Sequence, residues 1–193
     1  IKPKYLSEQI IMGEAFTTKG RKTKKKENYT KLDNIRMDIY NKKYFKKKPI
    51  VLLEANDDKV AHAGDITCQI YKSLGAIGFI TDGNIRDLDK CEEINFPIFC
   101  KDVNPIDAIN YWALTKFQTK IIIKNVIINP GDMIYASSDG VIRVKKEDLI
   151  IFNKTLNTVL KKENDARRLI KKIKNLNDYK PKLAQFAKTR GRW

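Results

Sequence analysis

Between residues 50 and 100 the chain alternates strand-like and helix-like segments, an order that restricts it to a few folds. Continuous apolar runs are typical of buried strands, whereas apolar residues at every fourth position are typical of helices. The first helix has Asp65 at its start, where a carboxylate can cap free N–H groups, and Gly75 at its end. By these criteria we predict strands over 50–54, 76–81 and 96–100, with helices over 66–74 and 85–94. This order indicates an α/β fold.

A second pattern begins near residue 119, where short strands are separated by turns. Gly131 and Gly140 lie in turn sequences that need a residue with positive φ. A long amphipathic helix is expected after the last strand. Glu163 falls on its apolar stripe, so this acid is either paired with Arg167 or reaches into a site. The predicted strands cover 121–123, 126–128, 133–136 and 141–144, and the helix carries the apolar residues Leu149, Phe152, Leu156, Leu160, Ile170 and Ile173.

Charge is distributed unevenly along the 193 residues, whose formal net charge is +16. Residues 19–48 contain 13 basic and 3 acidic side chains, and residues 160–193 contain 12 basic and 3 acidic ones. Residues 49–159, between these flanks, contain 12 basic and 15 acidic side chains. Clusters of Lys and Arg gain affinity for polyanions by releasing counterions from phosphates. The two flanks therefore indicate contact with RNA, with a solvated basic surface as the alternative.

The basic flanks predict a loop over 19–31 and a C-terminal tail over 179–193, and the remainder of residues 1–178 is expected to form one domain. Tyr179 and Trp193 in the tail could stack on bases, although burial as an anchor is the simpler role for a terminal Trp. The residues expected to bind nucleic acid are Lys22, Lys24, Lys25, Lys26, Lys182, Lys188, Arg190 and Arg192.

Composition excludes several classes of protein. No apolar run reaches the roughly 20 residues of a membrane span, so no membrane partner is expected. The three cysteines, Cys68, Cys91 and Cys100, lack the spacing of a disulfide scaffold or a zinc ribbon. A reducing compartment, either the cytoplasm or an organellar matrix, is therefore expected. Hydrophobic residues make up 42% of the chain, enough to bury a core, which excludes disorder over its whole length.

Two predicted strand-to-helix corners, 61–65 and 82–87, carry polar groups. Consecutive β–α units bring their strand ends side by side, so Asp65 and Asp87 could share a divalent cation while Arg86 binds a carboxylate. Gly64, at a helix start, would offer backbone N–H groups to an anion. Spacing alone favours the plainer alternative, in which Asp65 only caps the helix and Arg86 makes a structural ion pair. The single histidine, at position 62, is expected to be an exposed loop residue rather than an acid–base group.

Five segments, taken in their order and spacing, resemble the RraA-like family. This family includes regulator of ribonuclease activity A and the 4-hydroxy-4-methyl-2-oxoglutarate (HMG/CHA) class II aldolases. The resemblance covers about residues 8–175. The segments that carry it are Gly64-Asp65 and residues 75–87, 96–99, 129–132 and 138–141.

The resemblance implies a β-sandwich with flanking helices, of the swivelling β/β/α type, and a long C-terminal helix. It also implies a homotrimer or a dimer of trimers with active sites between subunits. Family enzymes cleave or decarboxylate oxoacids to yield pyruvate and use Mg²⁺ or Mn²⁺. By resemblance, Asp87 would be a direct metal ligand and Asp65 would support the metal or its water. Arg86 would hold the oxoacid and stabilise the enolate, and the backbone at Ala63 and Gly64 would seat a carboxylate.

Glu163 would correspond to a glutamate that the family's aldolases take from the adjacent subunit. One position departs from the family pattern, because Lys90 stands where an acid is common after the Arg-Asp pair.

The first hypothesis is a divalent-metal-dependent oxoacid lyase, either an HMG/CHA-type aldolase or an oxaloacetate decarboxylase. The alternative is a family scaffold that binds RNA, for example as an accessory subunit of a ribosome or another ribonucleoprotein. Regulation of a ribonuclease through protein contact ranks last, because a regulator that docks on basic RNA-processing segments should be acidic.

Overall fold

A computed structural model describes residues 2–3, 10–24 and 27–191. Three predicted RNA-binding residues, Lys25, Lys26 and Arg192, and the terminal Trp193 lie outside the described residues. The chain forms two compact units, one within residues 1–146 and one within 147–193. The proposed domain over 1–178 with a separate tail stays a prediction, because compactness alone does not show which segments fold independently. No helix in the described ranges is both long and apolar enough to cross a membrane.

The first unit contains the alternation of strands and helices that the sequence predicts, so the α/β class is confirmed. Its elements in chain order are β1 (Lys2–Pro3), β2 (Ile11–Lys22), α1 (Tyr29–Asp33), α2 (Ile35–Ile39), β3 (Ile50–Glu54), β4 (Ala61–Ala63), α3 (Asp65–Leu74), β5 (Gly78–Thr81), β6 (Asn84–Ile85), α4 (Leu88–Glu93), β7 (Ile98–Cys100), β8 (Asp102–Val103), β9 (Trp112–Phe117), β10 (Ile121–Ile123), β11 (Val126–Ile128), β12 (Met133–Ser137) and β13 (Gly140–Val144). Gly75 ends α3 with a φ of 114°, as predicted for a helix stop.

Within the described residues, eight strands form one mixed sheet in the order β1-β7-β5-β3-β2-β12-β13, with β9 also paired to β2. Strands β2, β3, β5 and β7 are parallel, and β1, β9, β12 and β13 join antiparallel to their neighbours. A small, fully parallel sheet has the order β4-β6-β8, and β10 pairs with β11 as a hairpin. The predicted turns before β12 and β13 are confirmed.

The central strand β3 is buried on both faces, which explains its continuous apolar sequence. Val51 and Leu53 face one apolar cluster, while Ile50 and Leu52 face a second cluster on the opposite side of the sheet. The first cluster includes α3 through Cys68, and the second includes the β10–β11 hairpin and β12. The largest completely buried side chains of the first unit include Trp112, Phe16, Phe45, Phe79, Phe96 and Phe99.

The predicted basic loop over 19–31 is wrong at its end, where α1 begins at Tyr29, and for its first residues, which continue β2 as far as Lys22. Their charges are neutralised by carboxylates of the same unit. Lys19 pairs with the nearly buried Glu54, and Lys22 Nζ lies 3.2 Å from Asp57 Oδ1. A run of basic residues can therefore form a central strand when acids on neighbouring segments compensate it.

The second unit consists of α5 (Leu149–Lys172) and α6 (Tyr179–Arg190), joined through a 3₁₀ turn at Leu176–Asp178. The long helix was predicted, whereas the expected basic tail is mostly helical. Arg190 Nη1 lies 3.0 Å from Asp165 Oδ2, so α6 returns along the second half of α5. Among the residues of α5, only Ala166 is buried.

Gly20 provides a test of how tightly β9 packs on β2. A Cβ atom built on Gly20 would lie 2.0 Å from Trp112 Cζ2 and 2.6 Å from the Ala113 carbonyl oxygen. We expect Gly20→Ala to destabilise the protein by roughly 2–4 kcal/mol, because the completely buried indole has no free space to enter. Urea denaturation would measure this change.

The matched control is Gly131→Ala, where a new Cβ has open space around it but φ is +83°. It should cost about 1 kcal/mol through backbone strain alone. Equal losses in the two variants would contradict the packing argument.

Candidate active site

Parallel pairing of β4 with β6 brings the two polar corners together. Ala63 pairs with Ile85 in register, and the N–H of Arg86 donates to the carbonyl of Ala63 at 3.0 Å. Helix α3 follows Gly64 directly, and α4 follows Asp87. Two corners that are more than twenty residues apart in the sequence therefore lie side by side, as consecutive β–α units are expected to place them.

Gly64 lies against both residues of the second corner. A Cβ atom built on Gly64 would be 2.7 Å from Asp87 Oδ2 and 3.1 Å from Arg86 Cγ. Any larger residue at position 64 would have to displace Asp87 or Arg86. Gly64 is also the N-cap residue of α3, so the prediction that Asp65 caps this helix is wrong: Asp65 is the first helical residue.

Asp87 has an unusual backbone for a residue with a side chain. Its φ of 56° and ψ of 42° lie in the left-handed region, which Asp and Asn tolerate better than most residues. It is the N-cap of α4, yet its carboxylate makes no capping hydrogen bond. The carboxylate instead faces Arg86 and Gly64, so a strained backbone presents an acid to the corner. Such strain often occurs at functional sites.

Arg86 is held between two carboxylates. Its Nε lies 3.3 Å from Asp87 Oδ2, and its Nη1 donates to Asp107 Oδ2. The hydrogen bond with Asp107 is the main cause that raises the pKa of Arg86, so the guanidinium stays charged. Arg86 and Asp87 are between a third and two fifths exposed, which leaves them accessible to a ligand.

Asp107 is the site residue that sequence reasoning missed. Its Oδ1 accepts the backbone N–H of Ile109 at 2.8 Å, and this bond, with Arg86, lowers its pKa. It lies outside regular structure after β8. No spacing rule connects it to Arg86, so the only signal was an Asp within a turn-like sequence after a proline.

The charges of Asp65 and Asp87 both influence the pKa of the Cys91 thiol. A hydrogen bond with Cys68 lowers the pKa of the Cys91 thiol, while burial and the charges of Asp65 and Asp87 oppose that shift. Asp65 also lines a groove of about 280 Å³ between α3 and α4, together with Lys90. Lys90 therefore faces the same groove as Asp65.

The described acids of this corner do not form a closed metal cage. Across the described ranges, no group of three His, Cys, Asp or Glu side chains is placed to hold a metal ion. Mg²⁺ is usually bound by one or two carboxylates and keeps several waters. Asp87 is open to such an ion, because its carboxylate is 39% exposed and makes no capping hydrogen bond.

His62 is buried, which corrects the expectation of an exposed loop residue. Its Nδ1 accepts the N–H of Asn84 at 3.2 Å, its Nε2 lies 3.3 Å from Asp57 Oδ2, and its ring packs edge-on against Trp112. Burial is the main cause that lowers its pKa, so it is neutral near pH 7. His62 is a structural residue of β4 and does not reach the Arg86 corner.

Glu163 and the predicted RNA-binding residues Lys182, Lys188 and Arg190 belong to the second unit, and Lys24 belongs to the first. Glu163 is on α5, where its Oε2 lies 2.8 Å from Arg167 Nη2, which confirms the ion pair that the sequence allowed. Lys182 pairs with Asp178, and Arg190 pairs with Asp165. Lys24 and Lys188 are exposed.

Comparison with known proteins shows which proteins this chain resembles in sequence. The family model described as RraA-like, Aldolase/RraA, matches residues 1–143. A Halalkalibacterium halodurans protein provisionally named 4-hydroxy-4-methyl-2-oxoglutarate aldolase is 36% identical over 98 residues, which are 50% of this chain and 46% of that protein. The chain thus spans about half the length of that relative. An uncharacterised Methanocaldococcus jannaschii protein is 27% identical over 180 residues, 92% of this chain and 81% of that one.

Solved structures share the fold. An uncharacterised Pseudomonas syringae protein superposes with a TM-score of 0.77 at 19% identity, covering 92% of this chain and 78% of that chain. An unusual RraA-family member from Streptomyces coelicolor gives a TM-score of 0.72 at 18% identity, covering 86% and 81%. The predicted RraA-like fold with a long C-terminal helix is therefore confirmed. Because the family model spans most of the chain, including both corners of the site, the protein belongs to the RraA-like family.

Proposed function

We propose that the protein is a divalent-metal-dependent oxoacid lyase that forms the enolate of pyruvate, as an HMG/CHA-type aldolase or an oxaloacetate decarboxylase. The observation that carries this proposal is the contact of the Gly64 corner with Arg86 and Asp87. This contact gathers acids, a guanidinium and a helix start at one exposed place. A metal-assisted carbon–carbon cleavage needs these groups.

Each residue has a role that follows from its chemistry. Asp87 would hold Mg²⁺ or Mn²⁺ directly, with Asp65 supporting the ion or its water. When bound, the cation supplies a Lewis acid for the 2-keto oxygen. Arg86 binds the substrate carboxylate and stabilises the negative charge that the breaking bond leaves on the enolate. The N–H groups at the start of α3, after Ala63 and Gly64, lack helical partners and can seat a carboxylate.

The first test is oxaloacetate decarboxylation with and without Mg²⁺. We expect Arg86→Ala and Asp87→Asn each to reduce kcat/KM at least about 100-fold, the usual cost of losing an electrostatic catalytic group. Asn is chosen at position 87 because it tolerates the left-handed backbone, so the loss reports the missing charge.

The matched control is Asp89→Asn, an exposed acid on the same short helix, which should retain activity. Circular dichroism would verify that each variant is folded. Metal-dependent turnover that survives Asp87→Asn would refute the assigned roles.

Glu163 remains a proposed contribution from a neighbouring subunit, and assembly as a homotrimer or dimer of trimers is part of the proposal. Exposed apolar side chains on the same unit as the corner support assembly. Ile66 follows Asp65 and is 71% exposed, while Ile106 and Ile109 flank Asp107 at 58% and 59%. Large apolar side chains exposed to this degree are candidates for a contact between subunits.

Light scattering would give the mass of the assembly. We expect a multiple of the 22.4 kDa chain, and we expect Ile109→Asp to shift the mass toward the monomer because it places a charge in an apolar contact. A monomeric wild-type protein would refute this part of the proposal.

A second candidate function, RNA binding, has support from the C-terminal unit. Residues 147–193 contain 13 basic and 5 acidic side chains. Three of those acids already have partners on the same unit, because Glu163, Asp165 and Asp178 pair with arginine or lysine. The excess therefore falls on exposed lysines such as Lys171, Lys172, Lys174, Lys180 and Lys188. The basic residues of β2 contribute less to RNA binding, because acids of the first unit pair with them.

Fluorescence anisotropy with single-stranded RNA at several salt concentrations would test this second function. Replacing Lys171, Lys172 and Lys174 by Gln should reduce the slope of log affinity against log salt by about 2, at roughly 0.7 per phosphate contact on a single strand. The same replacement at Lys116, Lys120 and Lys145 removes equal charge from the first unit and should leave the slope unchanged. Equal slopes in both triple variants would reject the C-terminal unit as the contact.

A further inference from the structure

Both edges of the Arg86 guanidinium are occupied within the chain itself. A guanidinium presents two edges on which a carboxylate can make paired hydrogen bonds. Asp87 Oδ2 is 3.3 Å from Nε on one edge, and Asp107 Oδ2 accepts from Nη1 on the other. Each edge thus has one nitrogen already in contact with an acid, so a substrate carboxylate that binds Arg86 in the bidentate mode competes with one of these two acids.

Asp107 is the acid that can leave. Asp87 is the proposed metal ligand and lies against Gly64, so its position is fixed by the site. The Asp107 side chain is 44% exposed, between the exposed Ile106 and Ile109. Rotation of the Arg86 or Asp107 side chain alone would break their contact.

The backbone around Asp107 is nevertheless well anchored. The N–H of Asn104 donates to the carbonyl of Ile85 at 2.8 Å, and the carbonyl of Ile106 accepts from Ala61 at 2.8 Å. These bonds attach the segment to β4 and β6, the strands that position the corner. Asp107 is thus held beside Arg86 by the same small sheet that builds the site.

We propose that Asp107 is an internal competitor for the substrate carboxylate, a positioning residue that occupies Arg86 until an oxoacid replaces it. This inference rests on the proposed function, because it takes Arg86 as the carboxylate-binding group. The exchange swaps one carboxylate for another on the same guanidinium, so Arg86 keeps a negatively charged partner throughout. Asp107 therefore sets substrate affinity and selects ligands whose carboxylate outcompetes it, favouring those that also engage the metal or the start of α3.

Calorimetric binding of oxalate in a buffer containing Mg²⁺ tests this proposal, because oxalate has the planar shape of pyruvate enolate. Asp107→Asn is the informative variant, since its side-chain oxygen can still accept the Ile109 N–H while the competing charge is lost. We expect it to bind oxalate roughly 3- to 10-fold more tightly, the scale on which a surface ion pair competes. Asp107→Glu keeps the charge and should bind like the wild type.

The control for total charge is Asp58→Asn, which removes an acid from an exposed pair with Lys101, distant in sequence from Arg86. It should not change oxalate affinity. The gain from Asp107→Asn should also vanish in combination with Arg86→Ala, because the two residues act through one contact.

A second measurement separates competition from simple support of Arg86. Competition predicts that Asp107→Asn lowers KM for oxaloacetate and leaves kcat within about twofold, because only ground-state access to Arg86 changes. Unchanged or weaker oxalate binding in Asp107→Asn, while Arg86→Ala abolishes binding, would overturn the competitor role and leave the proposed function intact. Wild-type protein that fails to bind oxalate, or Arg86→Ala that binds it equally well, would overturn the function and the competitor role together.

Discussion

The N–H of Arg86 donates to the carbonyl of Ala63, and this bond continues the parallel pairing of β4 with β6. The paired strand ends place two helix starts next to each other, and the absence of a side chain at Gly64 leaves room for the side chains of Asp87 and Arg86. The acids and the guanidinium of the candidate site therefore converge because of main-chain hydrogen bonds, and only secondarily because they attract one another. These bonds between main-chain atoms do not involve the side chains of Arg86 or Asp87.

Local patterns predicted the elements that are buried on both faces or strongly amphipathic. Strand β3 has the predicted bounds because it is apolar throughout, and α3 was predicted with its end because a glycine follows a clear four-residue period. The same reasoning missed β2, and it predicted a loop for the last residues of this strand because their charges are compensated by Glu54 and Asp57, which are distant in sequence. It also misplaced His62, whose burial depends on Trp112, fifty residues downstream.

In the candidate site, too, some residues could be predicted from local patterns and others depend on contacts between distant segments. Asp65, Arg86 and Asp87 were found because they recur at fixed distances within a family pattern, and the structure places their corners together. Asp107 belongs to no such pattern, and it reaches Arg86 only because β8 lies beside β6. The pairing of the basic residues likewise could not be predicted from composition. Composition marks two basic flanks, but only the contacts show that the β2 residues Lys19 and Lys22 of the first flank are paired with acids, whereas the second flank keeps an excess of exposed lysines.

Because Trp112 is buried, its fluorescence can report on the pairing of β9 with β2. Its indole is completely buried, donates to the Ala55 carbonyl at 2.9 Å and packs on His62. The chain has only two tryptophans, and the second is the terminal residue. In a chain shortened before Trp193, tryptophan fluorescence, excited selectively over the eight tyrosines, would come from this indole alone. A change in its emission would then report when β9 separates from β2 and β3, before or after the helical unit melts, without any attached label.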